Sequence, residues 1–237
     1  MDLKKIAKGI FGRRENTLHE SYKKISYSQS GEDLIIDYIF RLRNILTPTY
    51  LDLGSNHPYS LNNTFFFYKS KSRGVNIDAN PIQIKLFNLE RNDDVNVNIG
   101  VGIKKGYLDF YIFDYDPLST FSKFECDKLI QEGRVLVRTE LIQIKTISEI
   151  IKEYFNDVYP DFVSIDVEGF DEEIINSMDF SKSKPKVICL ETVEYTSNGT
   201  GKKRQSLIQN VTKLGFTVYA DTNINTIFVE NNFWFNT

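Results

Sequence analysis

From residue 50 onward short β-rich runs alternate with helical stretches, and that alternation limits the fold more than any other feature. It predicts parallel strands joined by crossover helices. The strands expected first are TYLDLG (49–54), RGVNIDAN (73–80) and VNVNIGVG (95–102). Asn80-Pro81 opens a helix over 81–91, with Ile82, Leu86 and Leu89 on one face. YLDFYIF (107–113) and VLVRTELIQIKT read as further strands around the loop DYDPLSTFS and the short helix KFECDKLIQE.

Thr146 and Glu149 have capping-box spacing and start a helix to about Tyr154. DFVSIDVEG (161–169) and PKVICLET (185–192) follow, with DEEIINSM as the helix between them; a helix over 202–214 ends at Gly215. FTVYA and NTIFVEN close the pattern as an antiparallel pair. The expectation is a three-layer α/β sandwich with one domain over 27–237.

Residues 1–26 stand apart. Residues 1–24 hold seven Lys/Arg against three acids, and Leu3, Ile6, Ala7, Ile10 and Phe11 fall on one helical face. This basic amphipathic segment either packs on the domain or a second subunit, or docks on a membrane surface or acidic partner. Over the whole chain the net charge is −3, which gives no footprint for nucleic acid. No apolar run approaches the length of a spanning helix, and no secretory leader is evident. Cys126 and Cys189 are far apart and Cys189 lies in an apolar run, so buried thiols in a reducing cytoplasm are expected.

In an open α/β sheet ligands bind at the carboxyl ends of the strands, near the point where strand order reverses. Standing at those ends are Asp52, Gly54, Ser55, Asn56 and His57, then Asp78 and Asn80, Gly100, Asp166 and Glu168, and Glu191. Asp78, 26 positions after Asp52, occupies the place where Rossmann-like proteins hold ribose hydroxyls. Gly54 is the only glycine of its loop, so the backbone lacks the repeated glycines that let a pyrophosphate approach. A nucleoside cofactor without phosphates, such as S-adenosylmethionine, suits the loop better.

YSQSGEDLII (27–36), LDLGSNHP with NTFFFYKSKSRGVNIDANP (51–81), NIGVG (98–102), LSTFS (118–122) and DFVSIDVEGFDEEII with PKVICLE (161–191) resemble, in order, the motifs of the FkbM-type methyltransferase family. The resemblance covers about 27–230. It implies the class I, Rossmann-like methyltransferase fold, with a mostly parallel seven-stranded sheet ending in an antiparallel pair. It also implies S-adenosylmethionine as methyl donor and O-methylation of sugars or other metabolites. By the same resemblance Asp52, Gly54 and Asn56 line the methionine and ribose side, Asp78 takes the ribose hydroxyls, and Gly100 and Val101 edge the adenine. Tyr27, Ser28 and Gln29 close the cofactor from the N-terminal side. The chain departs from the glycine-rich loop at Asn56 and Pro58; Asn tolerates positive φ, so the turn survives.

A protonated sugar hydroxyl is a poor nucleophile and needs a base or a metal. Either His57 is the base, or Asp166 and Glu191 hold a divalent cation (Fe, Mn, Mg or Zn) with His57 as third ligand. The plain alternatives are a loop histidine satisfied by hydrogen bonds and an Asp166 that braces its loop. Glu168 and Gly169 read as partners of the DVEG turn, TFFFYK (64–69) as helix packing, and Ser119 and Thr120 as acceptor-loop residues. Lys202, Lys203 and Arg204 are either contacts for the phosphates of a nucleotide sugar or a solvated charge run. The expected activity is O-methylation of a sugar hydroxyl, on a nucleotide sugar or surface-glycan precursor. The alternatives are a non-sugar acceptor, for instance a phosphorylated one, and a non-catalytic cofactor-binding domain. A homo-oligomer is compatible with all of them.

Overall fold

The computed structural model describes residues 22–115, 118–167, 170–194 and 201–236. The amphipathic segment expected over 1–24 therefore lies almost wholly outside the described residues, as do Asp116 and Pro117 of the acceptor loop and Glu168 and Gly169 of the DVEG turn.

In chain order the elements are α1 (Glu32–Leu42), β1 (Tyr50–Leu53), α2 (Phe65–Lys69), β2 (Gly74–Asp78), α3 (Pro81–Glu90), β3 (Val95–Asn98), β4 (Gly100–Val101), β5 (Gly106–Phe113), α4 (Lys123–Gln131) and β6 (Leu136–Lys145). They continue with α5 (Ile147–Phe155), β7 (Phe162–Ile165), α6 (Asp171–Ser177), β8 (Val187–Glu191), α7 (Gln205–Lys213), β9 (Phe216–Asp221), β10 (Asn225–Glu230) and α8 (Asn231–Phe235). The main sheet has seven strands in the order β3-β2-β1-β7-β8-β10-β9. Pairing is parallel from β3 to β8, and β10 runs antiparallel to both β8 and β9. This is the mostly parallel sheet with a closing antiparallel pair that the alternation predicts.

One difference concerns VNVNIGVG, which reads as a single strand. The side chain of Asn98 turns back to donate to the carbonyls of Asp78 (3.0 Å) and Ala79 (2.9 Å). Past that bend Gly100 and Val101 leave the main sheet and pair with β6. A separate three-stranded sheet, β4-β6-β5, results.

Strands β1 and β7 are buried along their whole length, which requires cover on both faces of the sheet. Alternate residues supply two cores. Leu51, Leu53, Val163, Ile165, Ile188 and Leu190 face Ile147, Ile150 and Ile151 of α5, Ile174 and Ile175 of α6, and Leu207 and Val211 of α7. Tyr50, Phe162, Val187 and Cys189 face Ile36, Ile39 and Phe40 of α1 and Phe67 of α2. The TFFFYK run is thus helix packing, and both cysteines are buried free thiols. Thr146 and Glu149 form the predicted capping box at α5. Among the described residues no helix is long and apolar enough to cross a membrane.

Beneath the loop that follows β1 lies a fully buried arginine, Arg91, at the carboxyl end of α3. Its Nε donates to Asp94 (3.0 Å) and its Nη2 to the Tyr50 hydroxyl (2.9 Å), which in turn donates to Asp94 (2.7 Å). Nη1 reaches Asn62 Oδ1 (3.1 Å), Thr64 Oγ1 (3.0 Å) and the Pro58 carbonyl (3.4 Å). Burial pushes the Tyr50 phenol far above its ordinary range, so it stays a neutral donor. Replacing Arg91 by Met leaves Asp94 buried without its cation, and is expected to cost about 3–5 kcal/mol in a urea unfolding titration.

Candidate active site

Strand order reverses between β1 and β7, and a cavity opens at the carboxyl ends of these strands and β2. Its volume, counted to the open mouth, is about 880 Å³. One wall is polar backbone. Gly54 has φ +73°, and a Cβ there would stand 1.8 Å from the Asp166 carbonyl oxygen, so only glycine lets β1 turn against β7. The Gly54 and Ser55 amides donate to the Ile77 carbonyl at 2.9 and 3.0 Å. Asn56 takes positive φ, 51°, and its amide donates to Asp78 Oδ2 (2.8 Å). Asp78 Oδ1 accepts from the Asn80 amide (2.7 Å), and Asn80 caps α3. The carboxylate of Asp78 thereby fixes two turns at once.

The facing wall is apolar. Ala79, Ile99, Val101, Phe110 and Phe121 line it, with the two phenylalanine rings 4.7 Å apart. Gly100 belongs to the same wall, where a Cβ would meet Ile144 at 2.5 Å and Phe121 at 2.7 Å. Ser119 and Thr120 form the lip. Thr120 exchanges backbone hydrogen bonds with Tyr111, and Ser119 Oγ accepts from the Phe113 amide (3.2 Å), so this loop is pinned to β5.

Asp166 lines the cavity just past the end of β7 and is exposed there, within the enclosing walls. Desolvation, reinforced by the like charges of Glu191, Asp171, Asp52 and Asp78, holds its carboxyl well above the usual range. Glu191 ends β8 opposite Asn225 of β10.

Several residues singled out in the sequence stand elsewhere. Asp52 lies under the loop, buried, accepting from Thr64 Oγ1 (2.8 Å) and Asn62 Nδ2 (3.2 Å). Burial raises its carboxyl, against the pull of Arg91 and these bonds. His57 is outside the cavity lining: its Nδ1 accepts from the amides of Ser60 (3.1 Å) and Tyr59 (3.4 Å), closing its own turn. A neutral ring that accepts at Nδ1 carries its proton on Nε2. Among the described residues no group of three His, Cys, Asp or Glu side chains is placed to hold a metal ion, so His57, Asp166 and Glu191 are not gathered into one ligand set.

Tyr27 and Ser28 form a brace behind the loop. The Tyr27 carbonyl accepts from the Asn62 amide (2.9 Å), while Asp33 binds the Tyr27 amide (2.7 Å) and the Ser28 hydroxyl (3.0 Å); Gln29 is exposed. Lys203 binds Asp221 (2.7 Å), and Arg204 binds Asp171 (3.1 Å), so neither is a solvated charge.

Two residues escaped the sequence reading. One is Arg91, which in LERNDD looks like a surface charge. The other is Glu32, fully buried, which accepts from Thr222 Oγ1 (2.6 Å), the Ser30 amide (2.7 Å) and Asn225 Nδ2 (3.1 Å). Its burial alone would raise the carboxyl, but these bonds outweigh it and leave the group below its ordinary value. The only available signal was its place in SGED at a helix start.

The raised Asp166 carboxyl has a consequence for stability. Folding disfavours the charged form of this group relative to the unfolded chain, so stability falls as pH rises past the ordinary carboxylate value. Asp166→Asn is therefore expected to melt higher than the parent at neutral pH, with the two curves converging near about pH 4 in scanning calorimetry.

No curated protein sequence matches the chain. Among solved structures, a TehB-like S-adenosylmethionine-dependent methyltransferase from Corynebacterium glutamicum is similar at 9% identity, with 95% of this chain and 98% of that one covered and a TM-score of 0.45. An O-methyltransferase from Bacillus cereus in complex with S-adenosylhomocysteine is similar at 11% identity, covering 91% and 86%, with a TM-score of 0.40. The sequence profile of the methyltransferase FkbM domain matches residues 52–218, from β1 and its loop through to β9. That match spans most of the chain, which belongs to the FkbM methyltransferase family and is an S-adenosylmethionine-dependent methyltransferase.

Proposed function

We propose that this methyltransferase acts on a hydroxyl of a sugar, borne by a nucleotide sugar or surface-glycan precursor, and that Asp166 is the base. The observation that carries the reading is the Asp166 carboxyl, open to the cavity and held above its usual range by enclosure and by neighbouring carboxylates. A carboxylate so placed is a stronger base than one in water.

The cavity fits the cofactor. Gly54 and Asn56 offer backbone beside its methionine part, Asp78 can accept from both ribose hydroxyls while its turns hold it, and Ala79, Gly100, Val101 and the Phe110–Phe121 pair form an apolar slot for adenine. When bound, S-adenosylmethionine supplies an electrophilic methyl on a positively charged sulfur, a charge that the acidic rim favours. With that group bound, Asp166 in its ionised form would take the acceptor's hydroxyl proton, leaving the oxygen able to accept the methyl. Alignment of acceptor and donor supplies most of the remaining rate. Ser119 and Thr120 at the lip suit a polyhydroxylated acceptor.

In this reading Asp52 holds the loop, and Tyr27, Ser28 and Gln29 act from behind it. His57 closes the turn, since its Nδ1 is engaged and its Nε2 bears a proton. A second reading keeps the acceptor and adds a divalent cation between Asp166 and Glu191, favoured by the mutual repulsion of these two carboxylates. Water and the acceptor oxygen would complete its ligands. A soluble enzyme of the cytoplasm fits both readings.

S-adenosylhomocysteine is expected to raise the melting temperature of the protein, and nucleotide sugars to accept label from methyl-labelled donor. Asp166→Asn should lower kcat by about 10²–10⁴ while leaving S-adenosylhomocysteine affinity within a few-fold. Retained turnover in Asp166→Asn would remove the base assignment, and loss of turnover on chelation, restored by metal, would favour the second reading.

A further inference from the structure

A second depression lies in the α1–α2 layer and shares no lining residue with the first. The segment 23–27 is laid beside Arg41 of α1 and Lys69 and Ser70 at the end of α2. Among the described residues four cations, Lys23, Lys24, Arg41 and Lys69, line it against one carboxylate, Asp37. Asp37 is itself neutralised, because Arg41 Nε reaches both its oxygens at 2.8 Å. That bond uses only the Nε of the guanidinium, and its terminal nitrogens carry four more N–H donors.

Lys69 is held in place. Its Nζ donates to the Tyr27 hydroxyl (2.6 Å) and lies 5.0 Å from the centre of that ring. A phenol that accepts from an ammonium keeps its own O–H to donate. The depression therefore combines an oriented ammonium, a phenolic donor, a guanidinium and the Ser70 hydroxyl, a set that matches an anion with several oxygens and more than one charge. The first cavity is the opposite: Asp78 and Asp166 line it, and Glu191 adds its charge nearby. A phosphate would be repelled there. Lys203 and Arg204, the other basic run considered for phosphates, are occupied by Asp221 and Asp171.

We propose that this depression is a phosphate-binding site, taking a mono- or diphosphate group. The group belongs either to a free phosphate ester, such as a nucleotide sugar, or to a lipid headgroup. The site stands independently of the acceptor hydroxyl assigned above, because it rests on the segment 23–27 and the α1–α2 layer, none of whose residues lines the first cavity.

The test is titration calorimetry of the full chain with inorganic pyrophosphate, on the parent and on the Lys24→Gln/Lys69→Gln pair. Saturable binding is expected in the parent, weakened about tenfold or more in the double variant and falling as salt is raised. The melting shift given by S-adenosylhomocysteine should be the same in both proteins, since neither lysine lines the first cavity. Absence of saturable binding by the parent, or equal binding by the variant, would overturn the proposal. Lys24→Gln alone, at an exposed position, gives the same comparison should the double variant fail to fold.

Two further arms identify the source. Binding of a uridine diphosphate sugar, lost in the variant, with no retention on phosphatidylglycerol vesicles, assigns a free ester. Retention of the parent on those vesicles, released by pyrophosphate and lost in the variant, assigns a headgroup. Equal retention of parent and variant rejects the headgroup source.

Discussion

A single buried guanidinium underlies the geometry of the cavity. Arg91 touches the start of β1 through Tyr50, the edge of β2 through Asp94, and the loop at Pro58, Asn62 and Thr64. Asn62 and Thr64 in turn hold Asp52, and the Asn62 amide holds the segment before α1. An ion buried so deeply is stable only with its full set of partners, so the loop has little freedom once the core has formed. A chain lacking the repeated glycines of a dinucleotide loop thus gains rigidity from below rather than from close backbone packing above.

The same logic divides the molecule by charge. Carboxylates accumulate where β1, β7 and β8 end, and in the function proposed here a cationic cofactor at that rim offsets the resulting repulsion. Active sites commonly store such unfavourable electrostatics and recover them on binding. The depression in the α1–α2 layer carries the opposite sign, so the two cavities select ligands of opposite charge without competing.

Much of this was legible in the sequence, and the parts that were not have particular causes. The alternation of runs, Asn80-Pro81 and the Thr146–Glu149 box mark elements whose signals are local, and the elements stand where expected. VNVNIGVG was misleading because its interruption comes from Asn98 reaching the β2 turn, a contact between strands that periodicity does not record. His57 stands just past a strand end with the chemistry of a base or a metal ligand, yet its ring serves its own turn. Asp52 carries the signature of a ligand-facing strand end, but its side chain points into the polar layer under the loop. Arg91 and Glu32 were invisible for one reason: each looks like a surface charge until its distant partners, 27 to 193 residues away along the chain, are known.

Glu32 joins the first described helix to the β9–β10 hairpin through Thr222 and Asn225. Strand β10 is also inserted between β8 and β9 rather than added at the sheet edge. During synthesis α1 consequently leaves the ribosome long before the hairpin that its Glu32 binds. Its apolar face, with Ile36, Ile39 and Phe40, packs on Tyr50, Phe67, Phe162, Val187 and Cys189, and is completed only when Ile227 and Val229 of β10 join them. Contacts of such long sequence separation slow folding, and here the last-made strand, β10, is an interior strand of the sheet, so the sheet cannot close until residues 225–230 are in place.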